Sequence, residues 1–136
     1  MKAIVTGSSG FIGSALVENL ERDGHHVVRL VRTEVATNAN DVFWDPLTGI
    51  ANKSALEGAG AVFHLAGENL ADGRWTTERK RRIRDSRVGG TRTLATALSE
   101  MERPPAVMVC ASAVGIYGGN LDGPVTESSP PGEDWL

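Results

Sequence analysis

The sequence predicts one α/β domain built on a doubly wound parallel sheet. Short, almost purely apolar runs alternate with segments of helical periodicity, and such runs are typical of parallel strands covered on both faces. A glycine-rich turn also joins the first apolar run, residues 2–6, directly to the first helical segment. The chain has 136 residues, which suits a single hydrophobic core, so one domain over residues 1–136 is predicted.

The first 44 residues contain three of the predicted strands. After the strand at residues 2–6, a helix is predicted over residues 10–23, and Gly24 ends it. The apolar positions that predict its buried face are Phe11, Ile12, Ala15, Leu16 and Leu20. Strand two is predicted at residues 26–32, and a polar loop over residues 33–40 leads to a short strand at residues 41–44.

The rest of the chain continues the alternation. Pro46 and Gly49 predict a turn, a brief helix is predicted over residues 52–57, and strand four over residues 61–65. Thr76 is the predicted cap of a long helix that extends to about Met101 and is weakened or kinked by the pair Gly89-Gly90. Strand five is predicted at residues 106–111, and the Gly- and Pro-rich composition from Ser112 onward predicts loops.

Composition excludes several classes of protein. The 14 basic and 17 acidic side chains give a net charge of −3, which argues against a nucleic-acid or anionic membrane partner. No apolar run approaches a membrane span, and the amino terminus is too polar for a signal peptide, so a soluble, cytoplasmic protein is expected. Cys110 is the only cysteine and is expected to be a small buried hydrophobe. His25, His26 and His64 lack metal-ligand spacing, so no metal site is predicted.

The glycine turn predicts a dinucleotide-binding site of the Rossmann type. Gly7 permits the tight turn, Gly10 lets the backbone approach a pyrophosphate, and Gly13 lets the helix pack closely on the sheet. The N-terminus of the following helix directs unpaired N–H groups and a partial positive charge at the phosphates. Ser9, Phe11 and Ile12 complete the predicted phosphate-binding segment.

Arg32 predicts which dinucleotide binds. NAD-binding sites usually carry a carboxylate at the end of the second strand, whereas an arginine there suits the 2′-phosphate of NADP. The strand ends Leu30-Val31-Arg32-Thr33, so NADP(H) is predicted, the alternative being that Arg32 merely solvates the strand end. The missing carboxylate also disfavours a methyltransferase. The turn lacks the Gly-Lys-Ser/Thr ending of a P-loop, which disfavours a nucleoside-triphosphate hydrolase.

Four segments in order resemble landmarks of the extended short-chain dehydrogenase/reductases. They are Thr6-Gly7-Ser8-Ser9-Gly10-Phe11-Ile12-Gly13, His64-Leu65-Ala66-Gly67, Arg87-Val88-Gly89-Gly90-Thr91 and Ser112-Ala113-Val114-Gly115-Ile116-Tyr117-Gly118. Further segments resemble an atypical branch, the sugar-nucleotide-epimerase-like family: Phe43-Trp44-Asp45-Pro46, Leu65-Ala66-Gly67-Glu68-Asn69, Arg74-Trp75-Thr76, Ser86-Arg87-Val88 and Thr126-Glu127-Ser128-Ser129-Pro130-Pro131-Gly132. The resemblance covers essentially the whole chain.

The resemblance implies roles for further residues. Leu65, Ala66 and Gly67 are expected to lie along the adenosine ribose and the phosphates. Asp45 is expected either near the adenine edge or simply in an Asp-Pro turn. Arg87 replaces the asparagine that extended members carry near the nicotinamide, so its guanidinium is expected to reach a cofactor phosphate. Arg82 is a second candidate for the same contact, and most of the other basic side chains between residues 79 and 87 are expected to be a solvated helix face rather than a nucleic-acid site.

Catalysis is the least complete part of the pattern. In extended members the second serine of a Ser-Ser-x-x-Val-Tyr-Gly segment polarises the substrate, and a later tyrosine–lysine pair transfers the proton. This chain has Ser112-Ala113 at the serine pair, and the tyrosine–lysine pair is expected beyond Leu136. Ser112 and Tyr117 are therefore the candidate catalytic residues, Tyr117 with packing beside the cofactor as its alternative role.

The resemblance implies a cofactor-binding half of an NADP(H)-dependent oxidoreductase or epimerase-like enzyme that acts on a small molecule by hydride transfer. Further strands and a carboxyl-terminal substrate lobe are expected beyond residue 136, so the chain alone is expected to lack turnover. Strand five then has an open edge, which favours a homo-oligomer. The alternative is a non-catalytic NADP(H)-binding sensor or scaffold, which Ala113 and Arg87 favour.

Overall fold

The computed structural model describes residues 1–33, 38–119 and 123–133. The strands are β1 (Lys2–Thr6), β2 (His26–Val31), β3 (Asp41–Asp45), β4 (Gly49–Ile50), β5 (Ala61–His64) and β6 (Val107–Cys110). The α-helices are α1 (Phe11–Arg22) and α2 (Thr77–Ser99), and short 3₁₀ helices cover Lys53–Leu56 and Val114–Tyr117.

The six strands form one sheet in the order β4-β3-β2-β1-β5-β6. Every pairing is parallel except that of β3 with β4, in which Trp44 lies opposite Ile50. The chain moves outward from β1 through β2 to β3 and then returns to the other side of β1, so the strand order reverses between β1 and β5. Ligands of open α/β sheets bind at such a reversal. The Rossmann-type prediction is confirmed.

One hydrophobic core lies on each face of the sheet. Ile4 and Val28 point to the face that α2 covers, where they join Leu94 and Leu98 of that helix. Their neighbours Val5 and Val27 point to the opposite face and pack against α1. This alternation follows from the two-residue period of a strand. The central strands are therefore buried on both sides, which explains their nearly continuous apolar sequence.

The buried face of α1 differs from the prediction. Phe11 is 96% exposed and Ile12 67% exposed, whereas Gly13 and Val17 are buried. Leu16 and Leu20 are partly buried, as predicted. The helix begins beyond the carboxyl end of β1, so its first turn projects past the sheet and the packing starts at Gly13.

Three smaller features differ from or extend the sequence-based expectation. The predicted turn at Pro46 returns the chain antiparallel to β3, and this adds the short strand β4. The pair Gly89-Gly90 lies within the continuous helix α2, and Gly90 is buried against Pro46 and Trp44, where the small residue allows close packing. Cys110 is exposed because β6 is an edge strand.

The outer edge of β6 leads to a testable prediction. Within the described part of the chain, β6 pairs only with β5, and Val107 and Val109 are 49% and 46% exposed. Because unpaired strand edges template intermolecular pairing, we expect the 136-residue chain to self-associate as its concentration rises. Sedimentation velocity will detect this. Val109→Lys should suppress the association and Val125→Lys, at an exposed loop position, should not; a monomer at every concentration contradicts the prediction.

Candidate functional site

A cleft of about 440 Å³ opens at the carboxyl ends of β1, β2 and β5. The register aligns Thr6 with Leu30 and with His64, so these strands end side by side. The lining residues include the predicted Gly7, Ser9, Gly10, Arg32, Leu65, Ala66 and Gly67. The topology thus brings together most of the residues that the sequence assigned to the cofactor.

The glycine turn is packed against the end of β5. Gly7 has a φ of +68°, and a Cβ there lies 2.8 Å from the backbone carbon of Leu65. The Gly10 N–H donates to the Gly7 carbonyl at 3.0 Å, which closes the turn. Gly10 is also the N-cap of α1, and as a glycine it supplies no side-chain cap. The first N–H groups of a helix carry partial positive charge, so this end is suited to an anion such as a pyrophosphate.

The opposite wall of the cleft, residues 65–68, is held by side chains of β1 and α2. The Leu65 and Ala66 N–H groups donate to Thr6 Oγ1 at 3.2 and 3.1 Å, and the Glu68 N–H donates to Ser86 Oγ at 3.0 Å. The Arg87 guanidinium donates to the Glu68 carbonyl at 3.2 Å. Arg87 therefore supports the wall from behind, and its contact with a cofactor phosphate stays a prediction.

Two arginines line the cleft, and their pairing differs. Arg29 forms an ion pair with the buried Asp41 carboxylate at 2.7 Å. Arg32 follows β2, is exposed, and has no hydrogen-bond or ion-pair partner among residues 1–33, 38–119 and 123–133. Its guanidinium is thus available for an incoming anion, whereas that of Arg29 is already neutralised.

A second cavity, of about 650 Å³, adjoins the cleft between the 45–47 turn and α2. Arg32 and Glu68 line both spaces. The Asp45 carboxylate accepts the Leu47 N–H at 2.7 Å, so Asp45 has the predicted turn role while it also lines this cavity. Thr93 Oγ1 donates to the Pro46 carbonyl at 2.7 Å and fixes the turn to α2.

The remaining candidate residues lie outside both cavities. Ser112 is exposed, and Tyr117 is partly buried at the end of the 3₁₀ helix Val114–Tyr117. Neither side chain lines the cleft or the second cavity. The side chains of Phe11 and Ile12 and the backbone of Gly13 do not line them either. The predicted role of these three residues in phosphate binding therefore depends on their backbone N–H groups at the start of α1.

His64, for which the sequence indicates no metal-binding role, lies in the core. It ends β5, is buried, and lies on the face that α2 covers. Its Nδ1 lies 2.8 Å from Thr6 Oγ1, its Nε2 lies 3.1 Å from Thr91 Oγ1, and its ring meets Trp44 edge-on. Burial lowers the pKa of His64 below its usual value of 6.5. The sequence signal that could have predicted this burial is the two-residue spacing of His64 from the apolar Val62, because residues two apart in a strand share a face.

This lowered pKa predicts an acid-sensitive stability. Below pH 6.5 the unfolded chain takes up a proton at His64, whereas the folded chain resists protonation, so the free energy of unfolding falls as the pH drops towards the folded pKa. Urea unfolding at about pH 7.5 and about pH 5.5 measures this loss. Because a single histidine titrates, the slope of the unfolding free energy against pH corresponds to the uptake of at most one proton. His64→Asn should flatten the profile and the exposed-site control His26→Asn should not. An unchanged slope in His64→Asn contradicts the prediction.

The described residues contain neither a metal-binding cluster nor a helix suited to a membrane. Within residues 1–33, 38–119 and 123–133, no cluster of His, Cys, Asp and Glu side chains has an arrangement that could hold a metal ion. Over the same residues, no helix combines the length and the apolar composition that crossing a membrane requires.

Three known proteins resemble the chain closely. An epimerase family protein of Mycobacterium bovis is 39% identical over 132 residues, which are 97% of this chain and 43% of that protein. The crystal structure of human epimerase family protein SDR39U1 with NADPH matches with a TM-score of 0.82 and 30% identity, over 98% of this chain and 44% of that one. A short-chain dehydrogenase/reductase superfamily protein of Agrobacterium tumefaciens with bound NAD matches with a TM-score of 0.77 and 28% identity, over 98% and 40%.

These matches place the chain in a family. The chain spans less than half the length of each of these three proteins. The family model described as NAD dependent epimerase/dehydratase matches residues 3–134, a range that contains the whole glycine turn and the whole lining of the cleft. This chain therefore belongs to the NAD dependent epimerase/dehydratase family.

Proposed function

We propose that this chain is the NADP(H)-binding part of an epimerase-like or oxidoreductase enzyme that works by hydride transfer on a small-molecule substrate. The observation that carries the proposal is the cleft itself, where the N-terminus of α1, capped only by a glycine, and an arginine without a partner among the described residues face one space. Such a site favours a ligand with phosphates at two separate positions. The human relative binds NADPH and the Agrobacterium tumefaciens relative binds NAD, so the preference has to come from residues of this chain.

The residues of the cleft fit the proposed cofactor. The glycine turn and the first N–H groups of α1 would hold the pyrophosphate, and the backbone of residues 65–67 would lie along the adenosine ribose. Arg32 would bind the 2′-phosphate with its fork of donors. When bound, the nicotinamide supplies the hydride chemistry, and the chain supplies binding and orientation.

Ser112 and Tyr117 remain the candidates for contact with the substrate. Because both lie outside the cleft, the competing proposal is a non-catalytic NADP(H) sensor or scaffold, which Ala113 and Arg87 also favour.

We further propose a cytoplasmic protein without a nucleic-acid or membrane partner. The Arg81 guanidinium on α2 contacts the Glu78 carboxylate at 3.1 Å, as expected for a solvated helix face.

Two measurements test the function. The fluorescence of bound NADPH, titrated with the complete protein and compared with NADH, tests cofactor binding; the absence of saturable binding of either overturns the proposal. A panel of nucleotide sugars is then added to the NADP⁺ complex of the parent, Ser112→Ala and Tyr117→Phe. The absorbance of reduced nicotinamide measures net oxidation of the sugar, and NMR of the sugar measures epimerisation, in which the hydride returns to the sugar and no reduced nicotinamide accumulates. Turnover that these variants lower supports the enzyme. Tight binding without any hydride transfer supports the sensor.

A further inference from the structure

The strongest unassigned feature is the buried hydrogen-bond chain Thr6–His64–Thr91, which lies beneath the cleft wall. Thr6 Oγ1 has three neighbours within hydrogen-bond distance: His64 Nδ1 at 2.8 Å, the Leu65 N–H at 3.2 Å and the Ala66 N–H at 3.1 Å. Thr6 is fully buried and His64 nearly so. Among the described residues, the one other acceptor that reaches these two amides is the Thr6 carbonyl, 3.3 Å from the Leu65 nitrogen.

The number of protons available determines which groups donate and which accept in the hydrogen-bond chain Thr6–His64–Thr91. A threonine hydroxyl has one proton to donate and two lone pairs to accept with. The Leu65 and Ala66 N–H groups occupy both lone pairs, so the hydroxyl proton is left for His64 Nδ1. His64 then accepts at Nδ1 and carries its own proton on Nε2, which donates to Thr91 Oγ1.

The other tautomer breaks the arrangement. With a proton on Nδ1, all three neighbours of Thr6 Oγ1 are donors, so they compete for its two lone pairs and none of them accepts the hydroxyl proton. The Leu65 N–H can still use the Thr6 carbonyl, whereas the Thr6 hydroxyl proton has no other acceptor among the described residues. A buried polar group without a partner is costly, so the Nδ1–H tautomer is disfavoured.

We infer that His64 is a positioning residue for the cofactor: by keeping Nδ1 unprotonated it takes the Thr6 hydroxyl proton and directs both lone pairs of Thr6 Oγ1 at the cleft wall. Leu65 and Ala66 line the cleft, so the position of the wall sets its fit to a nucleotide. This consequence rests on the proposed function, whereas the tautomer and the amide contacts do not.

The first test needs no cofactor. Long-range ¹⁵N–¹H NMR of the complete protein is expected to show His64 as the Nε2–H tautomer, and an Nδ1–H tautomer overturns the inference. Hydrogen exchange at the Ala66 amide, taken relative to the Ile4 amide of the core, is expected to rise in Thr6→Val and His64→Gln. Equal relative exchange in those variants and the parent also overturns it.

The second test separates positioning from packing. Thr6→Val and His64→Gln, which remove the Thr6 hydroxyl and the Nδ1 acceptor, are each expected to weaken NADPH binding about fivefold. Thr6→Ser and His64→Asn retain a hydroxyl and an acceptor near those positions, and they should restore most of the lost affinity. Thr91→Val removes the partner of His64 Nε2, the end of the hydrogen-bond chain that lies farthest from the cleft wall. This variant should lower the unfolding midpoint and change the affinity for NADPH less than about twofold.

The outcomes distinguish this inference from the proposed function. If Thr91→Val weakens binding as much as Thr6→Val does, His64 has only a structural role and the inference is wrong. If the parent protein binds neither NADPH nor NADH, the proposed function fails, and the tautomer and exchange results alone decide the inference.

Discussion

Gly13→Ala is expected to abolish useful nucleotide binding and to destabilise the fold. A Cβ built on Gly13 overlaps the Gly7 carbonyl oxygen and lies 2.8 Å from the Gly7 carbonyl carbon. Both groups are backbone, so α1 and the glycine turn have to separate. We expect a loss of about 3 kcal/mol in the free energy of unfolding. Displacing the N–H donors at the start of α1 that would hold the pyrophosphate should weaken NADPH binding about a hundredfold.

Gly89→Ala is the matched control for this prediction. Gly89 also lies within a helix, and a Cβ there meets only the Leu47 side chain, at 3.7 Å. Alanine is the better helix former, so this variant is expected to gain about 0.5–1 kcal/mol. Urea unfolding and NADPH titration measure both variants. Gly13→Ala with parental affinity would mean that the close contact between α1 and the turn does not shape the phosphate site.

The turn from β1 to α1 was predictable because its determinants are local. Gly7 is needed for its positive φ and Gly13 for a close approach within six residues of sequence. The alternation of strands and helices was predictable for the same reason, since each segment carries its own period. Consequently the cleft, which lies where three such strands end, could be placed from the sequence.

The errors arose where distant contacts decide. Phe11 and Ile12 fit the apolar period of α1, but the sheet ends before it reaches them, so they are exposed. From the sequence alone Gly90 looks like a helix breaker. The structure explains why a glycine stands there, because it packs against Pro46, which lies far away in the sequence. β4 depends on the same turn, since the turn brings Ile50 beside Trp44.

Polar roles within the site were the hardest to predict. His64 carries no sequence signal for its partners Thr6 and Thr91, which become neighbours only when β1, β5 and α2 meet. For Arg87 the sequence suggests a phosphate contact, and the structure shows its guanidinium donating to the Glu68 carbonyl, so the phosphate contact stays a prediction. Composition shows which groups carry charge or protons, whereas only packing shows which of them already have partners.

Arg32→Ala is expected to remove the preference for NADPH over NADH. Its guanidinium borders the cleft without a partner in the described part of the chain, whereas Arg29 beside it is paired with Asp41. Charge-assisted hydrogen bonds to a phosphate contribute about 1.5–3 kcal/mol, so affinity for NADPH should fall about ten- to a hundredfold. Affinity for NADH, which lacks the 2′-phosphate, should change little.

Two further variants show whether geometry or general positive charge sets this preference. Arg32→Lys retains the charge without the planar fork, so an intermediate affinity for NADPH is expected. Arg92→Ala removes an arginine that lines only the second cavity, and the NADPH preference should survive. Titrations of both nucleotides at one fixed ionic strength give the ratios, because salt screens the charge term. A parental ratio in Arg32→Ala, or an equal loss in Arg92→Ala, would mean that the 2′-phosphate is selected by the field of the α2 arginines instead.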